Sequence, residues 1–214
     1  TITGISLSAA DAGNYYLSGG NAISGNDGVI TASPLIITTS NVTKVYDRTT
    51  AAAGVAQVAT GSQTFGSDSL SGGTFAFTSA SAGAANKTVT VSDVTINDGN
   101  NGNNYVVSYV NNTTSTITPK ALTASMSAAN KTYDGATTAS VTGNSSDIIL
   151  GDTVAFANTG ATFSEKNVGT SKTVSVTGIS ITGGDASNYN LQNTSATTTA
   201  DIAKAALSVS ATAV

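Results

Sequence analysis

The residues best placed to do chemistry belong to a short motif that occurs twice. Lys44, Tyr46 and Asp47 stand in the order Lys-x-Tyr-Asp, and the same order returns 87 positions later (131 − 44 = 87), at residues 131–134. A carboxylate, an aromatic ring and an ammonium group at this spacing could contact a polar ligand. The same residue types also build turns, because an Asp side chain accepts hydrogen bonds from backbone N–H groups two residues further on.

We favour the turn interpretation for both copies. The Asp side chain would order the turn, the Tyr ring would pack against the protein, and the Lys would be solvated or paired. Gly135 follows Asp134 and suits a turn, whereas Arg48 stands at that position in the first copy. The residues to which we assign this structural role are Lys44, Tyr46, Asp47, Lys131, Tyr133, Asp134 and Gly135.

A second motif, Asp-Ala-x-Asn-Tyr, also occurs twice. It runs from Asp11 to Tyr15 and from Asp185 to Tyr189, at a separation of 174 positions (185 − 11 = 174), and a degenerate middle copy keeps only the final Asn-Tyr. Its form resembles the tyrosine corner of immunoglobulin-like sandwiches, in which the Tyr hydroxyl bonds to nearby backbone. The alternative is an ordinary turn whose Tyr ring fills the core.

The composition argues against catalysis. The chain contains no Cys and no His, so the commonest general base and the usual zinc ligands are missing. The segment 97–104 is rich in side-chain oxygen but holds one carboxylate and lacks the spacing of an EF-hand loop, so we expect a polar turn there. We predict no enzyme activity, no cofactor and no metal.

Charge is sparse, at 9% of residues with a net charge of −4. Binding to nucleic-acid phosphates needs clustered Lys and Arg side chains, and so does attraction to an anionic membrane surface. The sequence contains no such cluster. No apolar stretch approaches the roughly 20 residues of a membrane span. We therefore expect no nucleic-acid partner and no membrane insertion.

Alternation of apolar and hydroxyl-bearing residues is the dominant local pattern. Leu122, Ala124 and Met126 occupy every second position, with Thr or Ser between them, which predicts half-buried strands. The phase of alternation slips by one residue at Gly178 and at the equivalent Asp93. Because a slip turns the apolar face to solvent unless the strand is distorted, we predict a β-bulge or a sharp bend at both positions.

The repeated motifs define a unit of about 86 residues. We divide the chain into the C-terminal part of a preceding repeat (1–33), two complete repeats (34–118 and 119–204) and the first strand of a following repeat (205–214). The predicted fold is all-β: small, predominantly antiparallel, immunoglobulin-like sandwich modules in an elongated rod. The alternative is a β-grasp-like module with one short helix.

Three segments together resemble a known family. They are Lys131-x-Tyr-Asp-Gly-x-Thr-x-Ala139, the run from Gly178 to Tyr189, and Ile117-Thr-Pro-Lys-Ala-Leu122. This pattern resembles the YDG repeat of large bacterial surface and two-partner-secreted, filamentous-haemagglutinin-like adhesins. The resemblance covers essentially the whole chain as parts of four successive units, although the first full unit departs from it at Arg48. It implies stalk-forming modules, export to the bacterial cell surface and adhesion or biofilm work, with no catalytic residues.

We therefore expect a structural spacer that extends a binding region from the cell or into a matrix. Its partners would be the neighbouring repeats, with polysaccharide or a host surface bound through other regions, and its location would be extracellular. The alternative is that the repeats themselves bind a glycan or a host protein. Tyr16 and Tyr109, next to turn-rich segments, are the candidate contacts for that alternative.

Overall fold

The computed structural model describes residues 2–3, 6, 8, 12–14, 22–23 and 30–211. In this part of the chain the secondary structure consists of β-strands and two three-residue 3-10 segments, without an α-helix. The prediction of an all-β chain is therefore confirmed. In the same described residues, no helix is long and apolar enough to cross a membrane.

The N-terminal segment repeats a part of the later structure. Strand β1 (Ile2–Thr3) pairs antiparallel with β2 (Ala22–Ile23), and a 3-10 segment (Ala12–Asn14) lies between them in sequence. The second 3-10 segment (Ala186–Asn188) lies 174 positions further on (186 − 12 = 174). Residues 12–14 and 186–188, the middle three positions of the two copies of the Asp-Ala-x-Asn-Tyr motif, thus both form a 3-10 segment. The predicted site residues Asp11, Tyr15 and Tyr16 lie outside the described residues.

The first repeat has seven strands in two sheets. The strands are β3 (Ser33–Thr39), β4 (Thr43–Val45), β5 (Ala56–Val58), β6 (Ser69–Phe77), β7 (Gly83–Asn97), β8 (Tyr105–Tyr109) and β9 (Asn112–Thr118). One sheet has the order β5-β3-β8 and the other the order β4-β9-β7-β6. Strand β3 runs parallel to β8, and β4 runs parallel to β9, whereas the remaining pairs are antiparallel.

The second repeat has the same plan with more interruptions. Its strands are β10 (Lys120–Leu122), β11 (Ser125–Ala128), β12 (Lys131–Thr132), β13 (Val141–Asn144), β14 (Ala155–Ala157), β15 (Gly160–Phe163), β16 (Gly169–Thr177), β17 (Ser180–Thr182), β18 (Tyr189–Leu191) and β19 (Ser195–Ala203). The order β12-β19-β16-β15 matches the four-stranded sheet of the first repeat. Strands β10 and β11 together take the place of β3, pairing with β18 and β13.

The parallel pairs were not part of the prediction. In each repeat the first strand pairs with a strand about 70 positions later (105 − 33 = 72; 189 − 120 = 69). Alternation along a strand shows which face is buried but not which way a distant partner runs. Residues 204–211 form no strand, and Leu207 and Val209 are exposed there.

The predicted distortion at the phase slip is a sharp bend. Asp93 and Gly178 both have a left-handed backbone, with φ of 56° and 63°. The pairing register is the same on both sides of each position, so no residue is inserted. Register shifts occur instead near the start of β7 and β16, where Ala85 and Ser171 have φ of 52° and 50°. At the bend, the left-handed residue re-aims the strand so that apolar side chains on both sides of it stay buried.

Three clusters of buried side chains hold the structure together. One lies within the first repeat and includes Leu35, Ile37 and Val91, and one lies within the second and includes Phe163 and Val174. The third contains side chains of both repeats; its buried members are Val42, Tyr46, Phe77, Val89, Ile117, Leu122 and Tyr189. A core that is shared in this way joins the two repeats through more than the connecting peptide.

Candidate functional site: the contact between the repeats

The first Lys-x-Tyr-Asp motif forms a closed turn. The Lys44 ammonium lies 2.7 Å from the Asp47 carboxylate and donates a hydrogen bond to the Thr49 carbonyl at 2.8 Å. The same carboxylate accepts the Thr49 backbone N–H at 2.9 Å. The ammonium also lies 5.6 Å from the centre of the Phe77 ring, which is within the range of a cation–π contact.

The second copy repeats this geometry. Lys131 lies 2.8 Å from the Asp134 carboxylate, donates to the Ala136 carbonyl at 3.0 Å, and stands 5.6 Å from the Phe163 ring centre. The hydrogen bond from the lysine is the main cause that holds the pKa of Asp134 below its ordinary value, as it does for Asp47. Each lysine is therefore bound within its own turn.

Arg48 adopts a left-handed backbone of the kind that favours glycine. Its φ is 64°, close to the 80° of Gly135 at the equivalent place in the second repeat. A non-glycine residue in this region carries strain of about 1–3 kcal/mol. The strain is offset by contacts of the Arg48 side chain with the second repeat. Its Nη1 donates to the Leu150 carbonyl at 2.8 Å, and its Nε lies 3.1 Å from the Asp152 carboxylate.

Asp152 is the centre of the contact between the repeats. Its Oδ2 accepts hydrogen bonds from the Tyr46 hydroxyl of the first repeat at 3.0 Å and from the Tyr189 hydroxyl of the second at 2.6 Å. The Asp152 side chain is only 1% exposed. Its Oδ1 faces Arg48 as an ion pair without meeting the angular requirements of a hydrogen bond. We call the group of Tyr46, Arg48, Asp152 and Tyr189 the junction cluster.

The buried carboxylate changes the acidity of both tyrosines. Burial, followed by the hydrogen bond to Asp152, raises the pKa of Tyr46 to about 12. The pKa of Tyr189 is raised by the same two causes in the same order. Both hydroxyls therefore stay protonated at neutral pH and act as donors to the carboxylate, which makes these hydrogen bonds charge-assisted and strong.

Apolar and backbone contacts surround the junction cluster. The rings of Tyr46 and Tyr189 meet edge to face, with centroids 5.7 Å apart and planes at 74°. The Ala82 backbone N–H of the first repeat donates to the Asn188 side-chain carbonyl of the second at 2.9 Å, and Asn188 is 5% exposed. Asp185 accepts the Thr153 N–H at 2.8 Å, which fixes the loop that carries Asp152.

The tyrosine-corner hypothesis for Tyr189 was wrong in its hydrogen-bond partner. The hydroxyl accepts the N–H of Ile149, which lies 40 positions earlier, and donates to Asp152. A corner tyrosine would bond to backbone a few residues upstream. The ring is buried, at 6% exposure, so the alternative of a core-filling tyrosine describes it better, with the added role of holding Asp152.

The remaining predicted site residues lie away from the junction cluster. Tyr133, the counterpart of Tyr46, is 39% exposed. Tyr109 is 41% exposed, and its hydroxyl accepts the Val94 backbone N–H at 3.2 Å. In the segment 97–104, the Asp98 carboxylate accepts three backbone N–H groups of its own loop. Across the described ranges, no group of three or more acidic, His or Cys side chains could hold a metal ion.

Sequence reasoning missed Asp152 and Asp68, and it identified Asn188 and Asn104 only as members of the Asp-Ala-x-Asn-Tyr motif. A signal was present, because Asp68 precedes Asp152 by 84 positions (152 − 68 = 84) and Asn104 precedes Asn188 by the same distance (188 − 104 = 84). The separation of 84 differs from the 87 of the Lys-x-Tyr-Asp motif, since the repeats differ in loop length. A search at a fixed period of 87 therefore does not align Asp68 with Asp152.

Comparison with known families gives one match. The model of the YDG domain matches the chain twice, over residues 31–115 and 118–200. Comparison with curated proteins and with solved structures gives no significant match. The two matched ranges meet close to the junction cluster, so the cluster joins one matched copy to the next.

Proposed function

The chain belongs to the YDG domain family, and from this premise we propose that it is a structural spacer. In this proposal the repeats form part of a bacterial cell-surface or secreted adhesin and hold a binding region away from the cell or within a biofilm matrix. Each repeat acts as a small immunoglobulin-like sandwich module. The proposal includes an extracellular location and places the adhesive ligand on other regions of the protein.

The observation that supports this proposal is the construction of the contact between the repeats. A spacer holds its far end at a defined distance only if successive modules are fixed to each other. Here a buried carboxylate bonds to a hydroxyl of each repeat, and a shared apolar cluster surrounds it. A freely jointed pair would not need side chains such as Tyr46 and Asn188 to be buried at the contact.

The surface composition is also consistent with this proposal. Charged residues make up 9% of the chain, so the outer faces of the strands carry mainly hydroxyl and amide groups. Interactions between exposed charges weaken as salt screens them. A surface with few charges therefore keeps its hydration over a wide range of ionic strength, which suits a module that works outside the cell.

Small-angle X-ray scattering of the 214-residue chain tests the proposal. We expect an elongated profile that changes little between low and high salt. The Asp152→Ala variant should give a broader distance distribution, because the junction cluster no longer fixes the two repeats. A compact, globular profile for the unmodified chain would refute the spacer role, and so would micromolar affinity of this chain for a polysaccharide in a binding screen.

A further inference from the structure

The arginine that follows the first Tyr-Asp pair lies over a glycine of the second repeat. Arg48 Nη1 donates to the Leu150 carbonyl at 2.8 Å, and Arg48 Nε lies 3.1 Å from the Asp152 carboxylate. Gly151 stands between these two residues, with φ of 95°. A Cβ built on Gly151 would lie 2.0 Å from Arg48 Nη1 and 2.8 Å from its Cζ. The guanidinium therefore occupies the space that a side chain at position 151 would fill.

This close approach cannot be relieved without losing contacts between the repeats. The guanidinium is the end of a flexible side chain, so it could turn away from a larger residue at position 151. It would then leave the Leu150 carbonyl and the Asp152 carboxylate. Those contacts offset the strain of the left-handed backbone of Arg48, whose φ is 64°. In its observed position, Arg48 requires glycine at position 151.

The two repeats differ at both positions of this contact. Gly135 takes the place of Arg48 after the second Tyr-Asp pair, and it has no side chain with which to reach a neighbouring repeat. Ser67 takes the place of Gly151, directly before the Asp of the loop. The first repeat thus combines an arginine with a serine, whereas the second has glycine at both positions.

The loops that carry Ser67 and Gly151 form related turns. In each loop the N–H of the Asp donates to the carbonyl three positions earlier, at 3.0 Å in both. The left-handed residue of the first loop is Gly66, with φ of 58°, one position earlier in the turn than Gly151. The first loop therefore carries a Cβ directly before its Asp without placing that residue in the left-handed region.

From these observations we infer that Arg48 and Gly151 form a specificity pair, which determines which repeat can follow another along the chain. A repeat with Arg after its Tyr-Asp pair takes as its neighbour a repeat with Gly directly before the Asp of the loop. A repeat with Gly after Tyr-Asp, as at Gly135, makes no such demand. A repeat that carries both Arg48 and Ser67 is therefore not followed by a copy of itself. This specificity rests on the proposed spacer function, because the order of neighbours matters only in an array of repeats.

A loop transplant within the 214-residue chain tests the specificity pair. The combined substitution Leu150→Gly and Gly151→Ser gives the second repeat the loop residues of the first, with the left-handed glycine in the position of Gly66. Urea denaturation gives the equilibrium constant for unfolding with and without the transplant, in the presence of Arg48 and in the Arg48→Gly background. The transplant should raise this constant at least about fivefold more when Arg48 is present, because Arg48 then gives up a hydrogen bond from a charged, half-exposed donor.

Two further comparisons separate this specificity from a general loss of stability. Tyr109→Phe removes a hydroxyl of the first repeat that accepts the Val94 N–H away from the junction cluster, so its effect and that of the transplant should add to within about a factor of two. Gly151→Ala in the same two backgrounds repeats the comparison with a single added methyl group and with Leu150 unchanged. Circular dichroism of each variant establishes that it is folded.

Two outcomes would overturn the inference. They are equal costs of the transplant and of Gly151→Ala in the two backgrounds, and smaller costs with Arg48 than without it. Either outcome would leave the spacer role intact, since an elongated scattering profile does not depend on which residue faces Arg48. Conversely, a compact scattering profile together with a larger cost in the presence of Arg48 would remove the spacer role and retain the match between Arg48 and Gly151.

Discussion

Replacing Asp152 with Ala should lower the free energy of unfolding and uncouple the unfolding of the two repeats. The substitution removes the acceptor of two buried hydroxyls, from Tyr46 and Tyr189, and the ion-pair partner of Arg48. Each hydrogen bond to a charged group contributes about 1.5–3 kcal/mol, and loss of one partner of a buried ion pair costs about 3–5 kcal/mol. Arg48 is half exposed and can return to water, so the two hydrogen bonds determine the loss, which we expect to be about 3–6 kcal/mol in total.

Asp68→Ala is the matched control for this prediction. Asp68 accepts the Tyr105 hydroxyl at 2.6 Å, the same distance as between Tyr189 and Asp152, but it receives no hydroxyl from another described repeat. Its replacement should therefore cost about 1.5–3 kcal/mol, which corresponds to one such hydrogen bond. The difference between the two variants measures the contribution of the contact between the repeats.

Urea denaturation followed by circular dichroism provides the assay. The unmodified chain should unfold in one cooperative transition, because the repeats share a core, whereas Asp152→Ala should show two transitions. If both variants lose the same free energy of unfolding to within about 0.5 kcal/mol, and both keep a single transition, the junction cluster does not couple the repeats.

Three further predictions concern the same turns and contacts. The raised pKa of Tyr46, about 12, means that the stability from its hydroxyl is complete below its ordinary pKa of 10.0; this stability is lost as the pH rises from 10.0 towards 12. Thermal unfolding over that range should therefore show a shallower loss for Tyr46→Phe than for the unmodified chain. Lys131→Met should destabilise the second repeat by about 1–3 kcal/mol, since it removes hydrogen bonds from a charged donor; in urea denaturation Lys204→Met, at an exposed position, should have no effect. A Cβ added at Gly151, where φ is +95°, would overlap the Arg48 guanidinium, so Gly151→Ala should cost about 1 kcal/mol more with Arg48 present than in the Arg48→Gly background. Equal costs in the two backgrounds would show that the two residues do not interact.

The class of fold and the internal duplication could be predicted from the sequence because both are local. Alternation of apolar residues, such as Val174 and Val176, is a property of one strand, and a repeated motif can be aligned without knowing the fold. The bend at Asp93 and Gly178 was also predictable, because the slip in phase is visible along a single strand. Whether a bulge or a bend accommodates this change of phase depends on the facing strand. Gly73, opposite Asp93, also has a left-handed φ, of 110°, and allows the bend.

The direction of strand pairing and the site itself depend on partners far apart in sequence. The parallel pairing of β3 with β8 joins segments about 70 positions apart, and the pattern of either strand is compatible with both directions. The junction cluster joins Tyr46 to Asp152, 106 positions away. The exposure of Tyr133 likewise depends on partners that its own motif does not reveal. Its motif predicts a packed ring as for Tyr46, but the ring stays 39% exposed because no described neighbour covers it.

The parallel pairing of β4 with β9, and of β12 with β19, determines how a repeat responds to mechanical load. The two strands point the same way, so tension applied through the flanking chain pulls the beginning of one against the end of the other. The strands are therefore loaded in shear, and the bonds of the register must break together instead of unzipping one by one. Single-molecule extension should accordingly record unfolding forces above those of a hairpin peeled from its end, and equal forces would contradict this reading of the topology.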